Sequence, residues 1–223
     1  MAYVNGNRIV TDSSLAAYWD AGNKKSYPGT GSTWFDVSNN GKNSTSFDGG
    51  ISDANFSTDG GGCLDFVPNA DIPVPQIASN DITVEIWFKS DANGYRGLYG
   101  NGAHFRIWQA DSSLKWWCRG DGFGGTVELS VGSVISLGVW TYVAATCESN
   151  GLMKSYKNGN FLKSTSFPYV MLDGNNNATI GNTYNGDTGF FDGKIAMVRH
   201  YTRALTADEI RQNYDAQKGR FGL

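Results

Sequence analysis

The sequence predicts an all-β fold of the sandwich or jelly-roll type, followed by one short C-terminal helix. Three observations carry this. Glycine supplies 29 of 223 residues and aromatics 13%, while charged residues are only 17%, against a usual ~7% glycine and ~25% charged. From about residue 80 onwards, short alternating segments recur between clusters of Gly, Asn, Asp and Ser, the pattern of strands joined by tight turns. Only one stretch, near the end, carries the start and stop signals of a helix.

The elements follow in order. The N-terminal third is polar and rich in Gly, Asn and Ser, with isolated aromatics at Tyr18, Trp19, Trp34, Phe35, Phe47 and Phe66. It reads as long loops wrapped over a sandwich edge, preceded by an arm over residues 1–12. "DITVEIWFKS" alternates, with Ile82, Val84, Ile86 and Phe88 on one face and Thr83, Glu85, Trp87 and Lys89 on the other. "RGLYGNG", "AHFRIWQA", "SLKWWCRG", "TVELSVG", "VWTYVAATCES", "LMKSYK", "NFLKSTSF", "NATIGNTY" and "GKIAMVRHYTRAL" continue the series. Asn158-Gly159 marks a type I′ hairpin, whose two central residues both need positive φ. The helix is expected over 206–218: Thr206 and Glu209 form a capping box, Ile210 and Tyr214 share a face, and Gly219 is placed to end it. Residues 219–223 are then a tail, and the whole chain 1–223 reads as one domain without linker or repeat.

Charge and composition exclude several function classes. A net charge of −3 and a pI near 5.3 leave no electrostatic footprint for nucleic acid. No apolar run approaches the ~18 residues that would suggest a membrane span, and "MAYVNGNRIVTDSS" lacks the apolar core of an export signal. Cytoplasmic synthesis is expected. Cys63, Cys118 and Cys147 are odd in number and carry no C-x-x-C spacing, so buried free thiols are the default.

The candidate binding face comes from pairing "AHFRIWQA" with "SLKWWCRG" through a turn at residues 110–113. This register sets Trp108 opposite Lys115, Arg106 opposite Trp117 and His104 opposite Arg119, all on one face. Phe105, Ile107, Leu114, Trp116 and Cys118 fall on the other, apolar face, which must turn to the core. The adjacent Trp116 and Trp117 therefore point in opposite directions. The outward set has a packing explanation, because cross-strand cation–π pairs cover ring surface. It also has two functional ones. Trp87, Trp108 and Trp117, with His104, Arg106, Lys115, Arg119 and Glu85, can form a carbohydrate-binding face, since sugars stack their C–H faces on rings. A contact with another protein would use the same residues. Arg119-Gly120-Asp121 is explained by turn chemistry rather than as a recognition tripeptide.

A hydrolase would need two carboxyl groups within about 5–9.5 Å. Glu85 stands alone on its strand, and Glu128 is the one acid of matching outward parity on a neighbouring segment, so catalysis ranks last. His104 and His200 supply no zinc site, and no Ser-His-Asp arrangement is recognisable.

In sequence order, "LAAYWDAGNKKSYPGTGSTWFDVSNNGKN", "CLDFVPNADIPVP", "ITVEIWFK", "WTYVAAT", "KNGNF" and "GKIAMVRHYTRALTADEIRQNYDAQKGRFG" resemble the laminin G-like branch of the concanavalin A-like lectin/glucanase jelly rolls. The opening and closing stretches are similar to versions in structural proteins of tailed bacteriophages. The resemblance spans nearly the whole chain and implies a two-sheet antiparallel jelly-roll sandwich. It further implies a non-enzymatic virion protein, a capsid decoration or tail-associated adhesion module. Its partners would be other virion proteins and cell-surface glycans, without nucleic acid or membrane insertion, and it could assemble as a homo-oligomer on the virion surface. Arg220, Phe221 and Leu223 form an apolar-cationic end that could dock on such a partner; the alternative is that the tail folds back on the sandwich. No cofactor is required. Laminin G-like domains often hold calcium at the rim, and Asp173, Asn175, Asp187 and Asp192 would be the oxygen ligands, although ordinary Asx turns explain the same residues.

Overall fold

The computed structural model describes residues 8–45, 47, 55–100, 104–121, 125–171, 177–183 and 189–223. Fourteen strands are present among them. The first four are β1 (Leu15–Asp20), β2 (Phe56–Ser57), β3 (Cys63–Phe66) and β4 (Ile72–Val74). Next come β5 (Ile82–Ser90), β6 (Tyr95–Gly100), β7 (Phe105–Ala110), β8 (Ser113–Arg119) and β9 (Thr126–Val131). The series ends with β10 (Thr141–Cys147), β11 (Gly151–Lys157), β12 (Asn160–Phe167), β13 (Ala178–Ile180) and β14 (Gly193–Tyr201).

These strands form two antiparallel sheets. One runs β12-β11-β10-β5-β14-β3-β2, and the other runs β4-β13-β6-β7-β8-β9. Strand β14 has β5 along one side; its other side is shared, with β3 opposite residues 193–195 and β1 opposite residues 197–201. The predicted all-β sandwich is therefore present. The N-terminal third departs from the loop reading, because "LAAYWD" and "CLDF" are strands of the larger sheet. A six-residue strand surrounded by loop composition has too few alternations to be recognised alone.

The main core lies between the sheets. Ile82, Val84, Ile86 and Phe88 face Phe105, Ile107, Leu114 and Trp116 there, as the alternation predicted. Trp116 Nε1 donates to the Thr146 carbonyl at 3.3 Å, tying the two layers together. The three cysteines are free and buried. Burial pushes the Cys63 thiol up to about 11 and that of Cys118 well above its ordinary value, so neither is a thiolate near neutrality. The 158–159 turn has φ of 49° at Asn158 and 73° at Gly159, the type I′ geometry that joins β11 to β12.

His200 is also between the sheets. Its Nδ1 lies 3.1 Å from the Tyr99 hydroxyl on β6, and burial lowers its pKa from 6.5 to about 3. The unfolded chain therefore binds a proton that the native state refuses once the pH falls below 6.5, so stability present above that value is lost downward toward pH 3. Each unit in this window corresponds to about 1.4 kcal/mol. Chemical unfolding as a function of pH should show wild-type stability already falling between about pH 6.5 and pH 5, with His200→Gln nearly flat there. Equal slopes would remove His200 as the cause.

Helix α1 (Ala207–Asp215) begins with the expected box: the Thr206 hydroxyl accepts from Glu209 N, and the Glu209 carboxylate accepts from Thr206 N. Arg203 holds the same carboxylate, and this bond brings the Glu209 pKa down to about 2. The helix is shorter than the expected 206–218. It stops at Asp215, and Lys218–Phe221 form a separate 3-10 turn in which Gly219 is an inner residue. No helix among the described residues is long and apolar enough to cross a membrane.

Candidate functional site

The two outer faces of the sandwich are treated differently. The larger sheet's outer face is covered over its central strands by the C-terminal segment, with Leu152 and Phe161 exposed toward the β11–β12 edge. Trp87 on β5 is fully buried there, with Phe221 stacked on it at 3.9 Å and Tyr214 of α1 at 5.7 Å. Trp140 and Tyr142 complete the aromatic cluster. Trp87 is thus corrected from a surface sugar platform to a core residue of a second apolar layer. The tail is corrected with it. Phe221 is buried, and Arg220 binds Asp20 at 2.6 Å and the carbonyls of Gly60 and Gly62 at 2.5 and 2.6 Å. Leu223 alone of the three remains exposed. The Gly60 and Gly62 carbonyls thus accept from the tail's guanidinium, and the tail folds back on the sandwich.

Glu85 belongs to this covered face. Its carboxylate pairs with Arg199 on β14 at 2.7 Å, both side chains being at most 1% exposed. Tyr142 Oη donates to Glu85 Oε1 at 2.5 Å, and Asn213 Nδ2 donates to the same oxygen at 2.9 Å. Burial opposes the Arg199 charge, yet the Glu85 carboxylate and the neighbouring tyrosines hold its pKa above the ordinary value. Asn213 also binds Val10 through the Val10 N–H at 2.7 Å, and Tyr201 Oη donates to the Val10 carbonyl. The end of the N-terminal arm, the two central strands and the helix therefore meet in one buried polar network. The pairing of Glu85 with Glu128 as hydrolase carboxylates is overturned, because Glu128 stands on β9 of the other sheet and binds Lys115 at 2.6 Å.

The outer face of the six-stranded sheet is the candidate site. The expected register holds: Arg106 pairs with Trp117 and Trp108 with Lys115, and the Arg119 N–H donates to the His104 carbonyl. The hairpin turns through Asp111 at φ 53°. Phe105, Ile107, Leu114, Trp116 and Cys118 are buried between the sheets. On the outer side the Arg106 guanidinium lies 5.1 Å from the Trp117 ring centroid, and Lys115 bridges to Glu128. Arg106, Lys115 and Trp117 are half-buried and Arg119 is exposed. Trp108 and His104 depart from the open face expected of them, each being only 7% exposed. Trp108 is flanked by Tyr95 at 5.7 Å. Tyr95, 39% exposed, is a member of this face that the sequence reading missed. The register explains its place, since Tyr95 lies two residues before Gly97, which pairs with Trp108, and so shares the outward side. Gly97 in turn is required there, because a Cβ would meet Thr183 N at 2.7 Å.

Gly120 bridges Met171, and Asp121 N donates to the Val170 carbonyl. The tripeptide is thus tied to a neighbouring segment as the strand ends. Asp173, Asn175 and Asp187 lie outside the described residues. Asp192 is half-buried next to β14, and its carbonyl accepts from Asp91 N. Among the described residues no three His, Cys, Asp or Glu side chains are grouped to hold a metal ion.

A laminin G family model matches residues 67–211 and is described as concanavalin A-like lectin/glucanases superfamily. The chain belongs to this superfamily. No curated protein sequence matches it. Among solved structures, domain 4 of AbnA, an extracellular GH43 arabinanase from Geobacillus stearothermophilus, was determined in complex with arabinotriose. It superposes with TM-score 0.69 at 21% identity over 90% of this chain and 98% of that one. The binding domain of Paraclostridial Mosquitocidal Protein 1 gives TM-score 0.70 at 17% identity, covering 92% of this chain and 52% of that one. The receptor-binding domain of botulinum neurotoxin D gives 0.69 at 15%, covering 93% and 54%. The superfamily chain thus spans about half the length of the toxin domains. At these identities the shared property is the jelly-roll fold.

Proposed function

We propose that the chain is a non-catalytic binding module that recognises cell-surface glycans through the outer face of its six-stranded sheet, carried on the surface of a bacteriophage particle. The observation that supports the site is the asymmetry of the sandwich. One outer face has its central strands covered by the chain's own helix and tail, whereas the other leaves Trp117, Arg106 and Tyr95 partly open to solvent. An aromatic ring beside cationic donors is suited to a sugar. The separation of Glu85 from Glu128 speaks for binding without hydrolysis. The particle setting rests on the likeness of the opening and closing stretches to phage structural proteins.

Wild-type protein should bind in a glycan array or cell-wall pulldown, and Trp117→Ala should lose most of that binding, a stacked ring contributing about 1 kcal/mol or more. Retained binding by Trp117→Ala removes this face, and no binding by the wild type at millimolar glycan removes the glycan reading. Mass spectrometry of purified particles tests the setting, and absence of the chain from them overturns it.

A further inference from the structure

A second cleft lies at the edge of the opposite sheet. This cleft of about 710 Å3 lies between residues 9–15, Tyr18 and the 36–40 loop, within the size range of ligand pockets. Its floor is the free edge of β1, which the loop caps. Tyr18 N donates to Asp36 Oδ1 at 2.9 Å, Val37 N to the Tyr18 carbonyl at 2.9 Å, and Asn40 Nδ2 to the Leu15 carbonyl at 2.8 Å. Asp36 also accepts from Ser38 N, Ser38 Oγ and Lys42 N. The loop is therefore fixed before any ligand arrives, which spares the ordering cost of binding.

The donor set indicates the ligand class. Both cleft carboxylates are engaged, Asp36 as above and Asp12 by Arg203 at 2.6 Å and by Ser14. Among the described residues no cleft carboxylate remains for a cation, and Lys25 is the one cleft ammonium. The hydroxyls of Thr11 and Ser13 and the side chains of Lys25 and Asn39 line the cleft without a hydrogen-bond or ion-pair partner among the described residues. Val37 and Tyr18 also line it, the Tyr18 ring lying 5.5 Å from the Arg199 guanidinium and its hydroxyl donating to Asp20 at 3.0 Å. Three neutral donor–acceptor side chains beside a single ammonium match a polyhydroxylated ligand better than a phosphate, which calls for several cations. The cleft also lies before residue 67, outside the stretch that the superfamily model matches.

We propose that this cleft binds a short stretch of neutral oligosaccharide, separately from the Trp117 face. The ligand class rests on the glycan reading above, but the location does not. The test is amide-shift mapping of the 15N-labelled full chain titrated with arabinotriose and maltotriose, with inorganic phosphate as the anionic control. Saturable shifts at Thr11, Ser13, Asn39 and Asn40 with at least one saccharide are expected. Thr11→Val/Lys25→Met should weaken binding about tenfold, the loss of one or two hydrogen bonds, while Trp117→Ala leaves the cleft shifts unchanged. Saccharide shifts confined to the Trp117 face overturn the cleft and keep the sheet-face reading. Shifts with phosphate alone overturn the ligand class, and no saturable shift with either saccharide overturns the proposal.

Discussion

Arg199→Met should lower the unfolding free energy by about 3–5 kcal/mol, because it strands a buried carboxylate. Glu85 and Arg199 are both removed from solvent, 2.7 Å apart. In that setting each charge is tolerable only through the other, although the Tyr18 ring lies 5.5 Å from the guanidinium and Tyr142 and Asn213 donate to the carboxylate. Glu85→Gln should be costly for the converse reason, a buried cation without its counter-charge. The double variant removes both charges and retains a group that Tyr142 and Asn213 can bind. Its loss should therefore fall short of the summed single losses by roughly 2 kcal/mol, a coupling typical of contacting groups. Urea unfolding of the four proteins measures this. Additive losses would show that the pair does not act as a unit.

How far the sequence could be read depends on what a strand pattern encodes. Alternation tells which residues share a face, and here it did so correctly: Phe105, Ile107, Trp116 and Cys118 are inward, and Arg106, Lys115 and Trp117 are outward. It carries no information about what covers a face from a distance. On β5 the assignment of Thr83, Glu85 and Trp87 to one side was right, yet solvent was the wrong neighbour. The Thr83 hydroxyl accepts from Leu205 N and donates to the Arg203 carbonyl, so even this polar residue serves the chain that returns over it. Polar character on an alternating strand was compatible with burial because the partners lie some 120 residues away. The cleft was hidden for a related reason. Its rim is made by a short strand and an Asx-type loop whose composition is that of any loop, and they are brought together by hydrogen bonds between residues some 18–25 positions apart.

Trp87→Ala should cost about 3–5 kcal/mol, as deletion of a fully buried indole does, whereas Trp117→Ala should cost within about 1 kcal/mol, one exposed cation–π pair. The contrast follows from what each ring touches. Trp117 has one face against Arg106 and remains partly in water. Trp87 is stacked between strand and tail, with Phe221 at 3.9 Å, Tyr142 at 5.4 Å and Tyr214 at 5.7 Å. Removing it leaves a cavity whose walls belong to separate elements: β10, the helix and the 3-10 turn. The turn Lys218–Phe221 is a separate segment after the helix, so the effect of Phe221→Ala is capped by the free energy of releasing that segment. A Phe221→Ala loss close to that of Trp87→Ala would mean that the tail is part of the cooperative core. A small loss would mean that it is a docked strap whose release leaves the sandwich folded. Near-neutral behaviour of Trp87→Ala in denaturant unfolding would contradict the buried layer itself, and with it the asymmetry that leaves the six-stranded sheet as the open face.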